Sequence, residues 1–180
     1  QGYLNGMDST DLLIDNKFLE LYFNTYFRKR KIESIKKKEA EAYKKAIIKY
    51  ADVKKEGERF LEENKLKKGV KTTPSGLQYI IIKAGKGKQP TPLSIVKIDY
   101  HGTLINGTVF DSSVGKNQPK EIGISQVMKG MQEGLQLMKA GAKYKFFIPQ
   151  EMAFGFNPKT KKIKPFMPLV YELELLEIIK

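Results

Sequence analysis

Apolar positions recur at three- and four-residue steps from residue 16 to 66, whereas beyond about residue 75 they alternate with polar ones. The first rhythm predicts helix and the second predicts strand. Asn16 is a suitable helix cap ahead of Phe18, Leu19, Tyr22, Phe23, Tyr26 and Phe27, which make a wide aromatic face. That is more apolar surface than so small a helical piece hides alone. Residues 31–66 carry a sparser stripe of Ile32, Ile35, Ala42, Tyr43, Ala46, Ile47, Tyr50 and Val53. A helix of that span is roughly 50 Å long, too long for a compact domain of this size. A stalk or a partner-helix seam is expected, with dimerisation through residues 1–50; a helix packed along its own domain is the alternative. Gly69 stands where a C-terminal cap belongs.

Residues 16–66 hold one Gly and no Pro, while all eight prolines lie from Pro74 onward. The chain therefore divides near residue 70. Residues 77–84 read as a strand, followed by a loop through Gly85-Lys86-Gly87 and Pro90-Thr91-Pro92. Val96, Ile98, Tyr100 and Leu104 share one face of the next strand, and Lys97, Asp99, His101 and Thr103 the other. Asn106-Gly107 is a two-residue hairpin signal, and Thr108–Asp111 returns from it. Ser125 is a candidate cap for a short helix carrying Val127, Met128, Met131, Leu135 and Leu137. Gly141 ends that unit, and strands follow at 143–148 and at Leu169, Tyr171, Leu173 and Leu175. One antiparallel sheet curled over one short helix, an α+β domain, is the economical fold.

Charge and composition narrow the function. The 180 residues carry 33 Lys and Arg against 20 Asp and Glu, a net charge of +13. Only Arg28, Arg30 and Arg59 among the cations have the planar fork suited to phosphate and guanine. The excess is spread over both halves of the chain, so a solvated basic surface is expected rather than a nucleic-acid interface. There is no cysteine and one histidine, which excludes disulfides, thiol nucleophiles and His- or Cys-rich metal cages. His101 falls on a polar strand face with no nucleophile-elbow motif nearby, and Gly85-Lys86-Gly87-Lys88 lacks the spacing of a phosphate-binding loop. The chain starts at Gln1 without an apolar signal segment, which reads as a mature or trimmed sequence. No metal and no cofactor are expected.

Several blocks from Pro74 onward occur in a familiar order: Ser75-Gly76-Leu77-Gln78-Tyr79, Tyr100-His101-Gly102-Thr103-Leu104, Asn106–Ser113, Gln126–Met131 with Gly134, Leu135 and Met138, Ala153-Phe154-Gly155, and Leu169–Leu175. Together they resemble the FKBP-type peptidyl-prolyl cis-trans isomerase domain. Gly2–Gly6, Glu62–Lys65 and Gly69-Val70 more loosely resemble the N-terminal helical dimerisation region of the macrophage infectivity potentiator-like subfamily. The resemblance implies an FKBP-like curled antiparallel sheet over one short helix at residues 71–180. An all-α region with a long connecting helix at 1–70 precedes it. It also implies a homodimeric, periplasmic or envelope-associated folding factor acting on proline-containing client polypeptides, with a cytoplasmic location as the alternative.

By the same resemblance, Tyr100, Phe110 and Tyr171 wall an apolar cup, Met131 forms its floor, and Val127 and Ile163 also line it. Met128 offers its backbone N–H to a substrate carbonyl. Asp111 accepts a hydrogen bond from Tyr100 and pairs with Lys116, and it lines the cup together with Met128 and Phe154. Apart from the family pattern, these apolar residues read as ordinary core. Met131 replaces the family's usual Trp, and Phe154 replaces a Tyr. The loop from Ile163 to Pro168 departs from its usual wording, and Lys159-Thr160-Lys161-Lys162 makes a basic rim. Reduced turnover and weakened macrolide inhibitor binding are expected from these changes. The rival reading is a chaperone or binding module whose isomerase pocket is weak or vestigial.

Overall fold

The computed structural model describes residues 9–114, 118–158 and 160–180. Two compact units divide the chain, one ending at Lys45 and one running Ala46–Lys180. The Gly2–Gly6 block, Lys116 and Lys159 lie outside the described residues.

Helix α1 runs Ser9–Lys49 without interruption, about 60 Å of helix. Asn16 is therefore inside the helix and not at its cap. Neither Gly nor Pro occurs between Ser9 and Lys49, so nothing in the backbone stops propagation through the Arg28–Arg30 stretch. Aromatic side chains four residues apart stack along it, Tyr22 on Tyr26 at 6.4 Å and Phe23 on Phe27 at 6.3 Å between ring centres. These rings are exposed, with Phe27 at 62%.

The continuous helix expected to residue 66 is offset at Tyr50, where φ is −117° and ψ 25°. Helix α2 then runs Ala51–Asn64. It belongs to the same compact unit as the sheet, and its inner side explains why. A Cβ on Gly57 would lie 2.6 Å from Pro168 Cδ, so only a glycine lets the helix approach that closely. Phe60 meets Phe147 at 6.1 Å. Asn64 Nδ2 donates to Gln78 Oε1 at 2.9 Å, and Gln78 Nε2 donates to the Leu61 carbonyl at 2.8 Å. Both side chains are buried, so each polar group depends on the other for its partner. Gly69 does adopt a left-handed φ of 88°, but the helix has already ended at Asn64.

Among the described residues the sheet has seven strands: β1 (Lys71–Thr72), β2 (Gln78–Lys83), β3 (Ile95–Leu104), β4 (Val109–Ser112), β5 (Lys120–Gly123), β6 (Lys143–Ile148) and β7 (Leu169–Ile178). Every pairing is antiparallel, in the order β1-β2-β6-β7-β3-β4, with β5 pairing on β3 beyond the reach of β4. Register shifts in β2, β3 and their partners curl the sheet. The β3–β4 turn forms at the Asn-Gly pair but holds three residues, not the two expected: Leu104 N–H donates to the Thr108 carbonyl and Gly107 N–H to the Leu104 carbonyl, Gly107 alone takes a left-handed φ of 83°, and Asn106 Oδ1 accepts from the Thr108 N–H.

Helix α3 (Lys129–Leu137) fills the curl. Its glycines seat it: a Cβ on Gly130 would lie 2.3 Å from Ile148 Cγ2, and one on Gly134 2.8 Å from Phe146 Cε1. Met131, Leu135 and Met138 thereby join Phe146, Ile148, Leu169 and Leu173 in one buried cluster. Ser125 does not cap this helix. It sits in a short 3-10 turn (Ile124–Gln126), and Met128 takes the cap position without a side-chain hydrogen bond. The alternating residues of β7 fall as the pattern predicts, Leu169, Tyr171, Leu173 and Leu175 buried.

Replacing Asn64 by Ala leaves the buried Gln78 amide short of a partner, which costs about 1–3 kcal/mol. Urea unfolding of Asn64→Ala is expected to show a midpoint lowered accordingly. An unchanged midpoint would mean that α2 is not clamped to the sheet by this pair.

Candidate functional site

The open side of the curl, beyond the N-terminal end of α3, holds a cavity of about 240 Å³. Three strands bring an aromatic cluster beside it, of which Tyr100 and Tyr171 line it. Tyr100 comes from β3, Phe110 from β4 and Tyr171 from β7. Gly102 stands opposite Tyr171 in the β3–β7 register. A Cβ there would lie 2.8 Å from Phe110 Cζ and 3.0 Å from Tyr171 Cε1, so the glycine leaves room for the rings to meet. Phe110 packs edge-on to Tyr171 at 5.4 Å, and Tyr100 is tilted against Tyr171 at 6.3 Å. Such edge and tilted contacts hold aromatic rings in fixed orientations.

Tyr100 is fixed at both ends. Its hydroxyl donates to Asp111 Oδ2 at 2.9 Å. Its backbone N–H donates to Ser113 Oγ at 2.9 Å, and its carbonyl accepts from the Ser113 N–H at 2.9 Å. Ser113, almost fully buried, donates a hydrogen bond from its own hydroxyl to Asp99 Oδ1 at 2.7 Å. Burial pushes the Tyr100 phenol up to about 12, helped by its hydrogen bond to Asp111 and by the charge of that carboxylate. Burial raises the Tyr171 phenol as well, with the charge of Asp111 and then Tyr100 adding to it. Both phenols therefore stay protonated at neutral pH, and Asp111 is occupied as an acceptor.

Five of the nine residues marked out in the sequence line the cavity together: Tyr100, Asp111, Val127, Met131 and Tyr171. The other four do not line it. Phe110 meets Tyr171 edge-on, and Ile163 is buried in the core at 4% exposure. Phe154 and Met128 are half-buried against that same core. Met128 nonetheless ends at the mouth of α3, and among the described residues its backbone N–H has no hydrogen-bond partner. The expected Asp111–Lys116 pair falls outside the described residues.

Three lining residues were not marked out: Ile98, Lys120 and Ile122. Ile98 shares the inward face of β3 with Tyr100, so the alternation already pointed to it. Lys120 and Ile122 come from β5, a four-residue strand hidden by its Lys-Glu start. His101 faces elsewhere. It bonds Ser112 Oγ through Nδ1 at 3.0 Å, on the outer side of the sheet with Asp99, Glu172 and Glu174. Among the described residues no group of three or more His, Cys, Asp or Glu is arranged to hold a metal ion. The cavity offers apolar walls, a floor for a small ring and a held phenol. Its one carboxylate is already engaged.

Comparison with known proteins supplies the family. Residues 86–176 match the family described as FKBP-type peptidyl-prolyl cis-trans isomerase. Residues 1–81 match the domain amino terminal to FKBP-type peptidyl-prolyl isomerase. A probable FKBP-type peptidyl-prolyl cis-trans isomerase FkpA of Neisseria meningitidis serogroup B is 49% identical over 125 residues, 69% of this chain and 46% of that protein. The outer membrane protein MIP of Legionella longbeachae is 35% identical over 180 residues, 100% of this chain and 74% of that protein. The crystal structure of FkpA from Escherichia coli superposes with a TM-score of 0.68 at 30% identity, covering 96% of this chain and 82% of that one. The match spans about half the length of the first curated relatives, 46% and 47% for the FkpA proteins of Neisseria meningitidis and Aeromonas hydrophila. With the curled sheet, the seated helix and the aromatic cavity in place, the chain belongs to the FKBP-type peptidyl-prolyl cis-trans isomerase family.

Proposed function

We propose that this protein is a peptidyl-prolyl cis-trans isomerase that acts as a folding factor on X–Pro bonds of client polypeptides. The observation that carries the reading is the apolar cavity between Tyr100, Tyr171, Val127 and Met131, with the Met128 amide, unpaired among the described residues, next in the chain to Val127. Rotating an X–Pro bond breaks amide conjugation, a barrier of roughly 18–20 kcal/mol, and needs neither a proton transfer nor a covalent intermediate. Twisting the amide reduces its charge separation, so a dry cavity favours the twisted form over the planar one that water stabilises. A donor at the Met128 amide would hold a neighbouring carbonyl while the proline ring rests on Met131. Lowering the barrier by about 4 kcal/mol accelerates the bond about a thousandfold.

In this reading the isomerase domain occupies about residues 71–180 and the helical region 1–70, α2 serving as its anchor on the sheet. The helical region makes a homodimer through residues 1–50, supported by the exposed rings of Tyr22, Phe23, Tyr26 and Phe27. The same exposed face supports the second reading, a chaperone that holds unfolded chains on α1 while its cavity turns over slowly. Macrolide inhibitors would bind, but weakly, because Met131 is a softer floor than an indole and Phe154 carries no hydroxyl. A periplasmic or envelope location fits the relative called an outer membrane protein. Among the described residues no helix is long and apolar enough to cross a membrane.

Loss of the Tyr100–Asp111 hydrogen bond, about 1 kcal/mol, predicts a roughly fivefold drop in kcat/KM for Tyr100→Phe. Asp111→Ala is expected to lose at least as much, with both variants folded by circular dichroism. A protease-free assay on a Phe-Pro tetrapeptide reads this directly. Wild-type rates in both variants would remove the cavity from the reaction, and a wild-type protein without acceleration would leave the chaperone reading. An ultraviolet difference titration of wild type against Tyr100→Phe should show one phenol ionising near pH 12. A step at the ordinary value of about 10 would mean that the Asp111 contact is not kept in solution. Placing Lys at both Phe23 and Phe27 should halve the mass measured by light scattering, and an unchanged dimer mass would move the interface elsewhere.

A further inference from the structure

Lys120 is an anomaly in the wall of the cavity. In the β3–β5 ladder Ile98 stands opposite Lys120 and Val96 opposite Ile122, so Lys120 and Ile122 point inward with two apolar residues of β3. An alternating strand places apolar side chains at both inward positions, and this one places a cation at the first. The acidic neighbour Glu121 stands opposite Lys97, on the other face, and cannot neutralise it. Among the described residues Lys120 makes no ion pair within 4.0 Å, whereas Lys97, Lys145, Lys54 and Lys65 each have an acidic partner. Asp111, the other charged residue of the cavity, holds the Tyr100 hydroxyl.

We infer that Lys120 is a specificity-determining residue, selecting client segments with an Asp or Glu beside the proline. This inference rests on the proposed isomerase activity of the same cavity. A proline ring seated on Met131 brings its flanking residues to the cavity mouth, where Lys120 is exposed. The aliphatic stem of Lys120 covers part of the wall and leaves the ammonium at the solvent edge. There an opposite charge in a client is attracted at partly protein-like dielectric, and a like charge is repelled. Asp111 sets the opposite sign on the same cavity, so the preference is positional. An acid is favoured on the Lys120 side of the proline, and no advantage is expected on the other. The contact forms with planar and twisted amides alike, so it acts on KM more than on kcat.

The test uses the full chain and proline tetrapeptides carrying Glu, Gln or Lys immediately before the proline, and a second set carrying them immediately after it. In the wild-type protein one of the two positions should show a Glu-to-Lys ratio in kcat/KM of about three- to tenfold, shrinking at about 1 M salt. Lys120→Met should bring that ratio close to one, and Lys120→Glu should invert it. The net charge of +13 attracts any acidic peptide, so Lys86→Met serves as the control. Lys86 lies between two glycines packed on Ala140, past the far end of α3, and its loss should leave the ratio as it was. Equal rates for Glu and Lys peptides at both positions would overturn the inference, as would a preference that survives in Lys120→Met. Turnover of the wild-type Gln peptides reads the isomerase activity by itself. Its absence would overturn the underlying function, and its presence with equal Glu and Lys rates would overturn the specificity alone.

Discussion

The close seating of α3 on the sheet is the constraint from which the rest of the molecule follows. Gly130 and Gly134 lie one turn apart on the helix, and each occupies space that a single methyl group would deny to Ile148 or Phe146. A helix that approaches its sheet this closely fills the curl with few side chains, and cores of that density resist even one added methylene. The same approach sets the depth of Met131 and leaves the Met128 amide at the open end. The helix that completes the core thus also fixes the floor and the edge of the cavity.

A comparable economy operates at Gly102. Without a side chain there, Phe110, Tyr171 and Tyr100 form a contiguous aromatic side across three strands. Ser113, its hydroxyl anchored on Asp99, then holds the backbone of Tyr100, while Asp111 holds its hydroxyl. These polar contacts steady the wall instead of moving protons. Rigid walls suit a reaction whose only event is rotation about a bond, since each degree of freedom fixed beforehand is not lost at the transition state.

The sequence was most legible where periodicity and backbone chemistry coincide. The alternation in β3 and β7, the Asn106-Gly107 turn and the break at Gly141 all appear in the fold, and the ordered blocks from Ser75 onward point to the right family. Helix ends were less legible. Asn16 and Ser125 have side chains that can cap, yet α1 starts earlier and α3 later, because continuous helical propensity and tertiary seating outweigh one hydrogen bond. The clamp between Asn64 and Gln78 leaves no local signature, since it joins residues fourteen apart in the chain, and the non-helical dihedrals of Tyr50 have none either, because no Gly or Pro marks the place. Tyr100, Asp111, Val127, Met131 and Tyr171 converge on the cavity. Ile163 and Phe110 instead support it, and β5 escaped notice because four residues beginning with Lys-Glu carry too little apolar pattern.

The central claim is that an X–Pro bond turns over the floor made by Met131. The most direct measurement is an exchange experiment by NMR on a proline peptide mixed with protein carrying labelled Met methyl groups. The account predicts that cis and trans peptide signals exchange in the presence of protein, and that the Met131 and Met128 methyls shift while Met138, buried in the core, does not. Exchange with Met131 unperturbed, or peptide-induced shifts confined to α1, would contradict it.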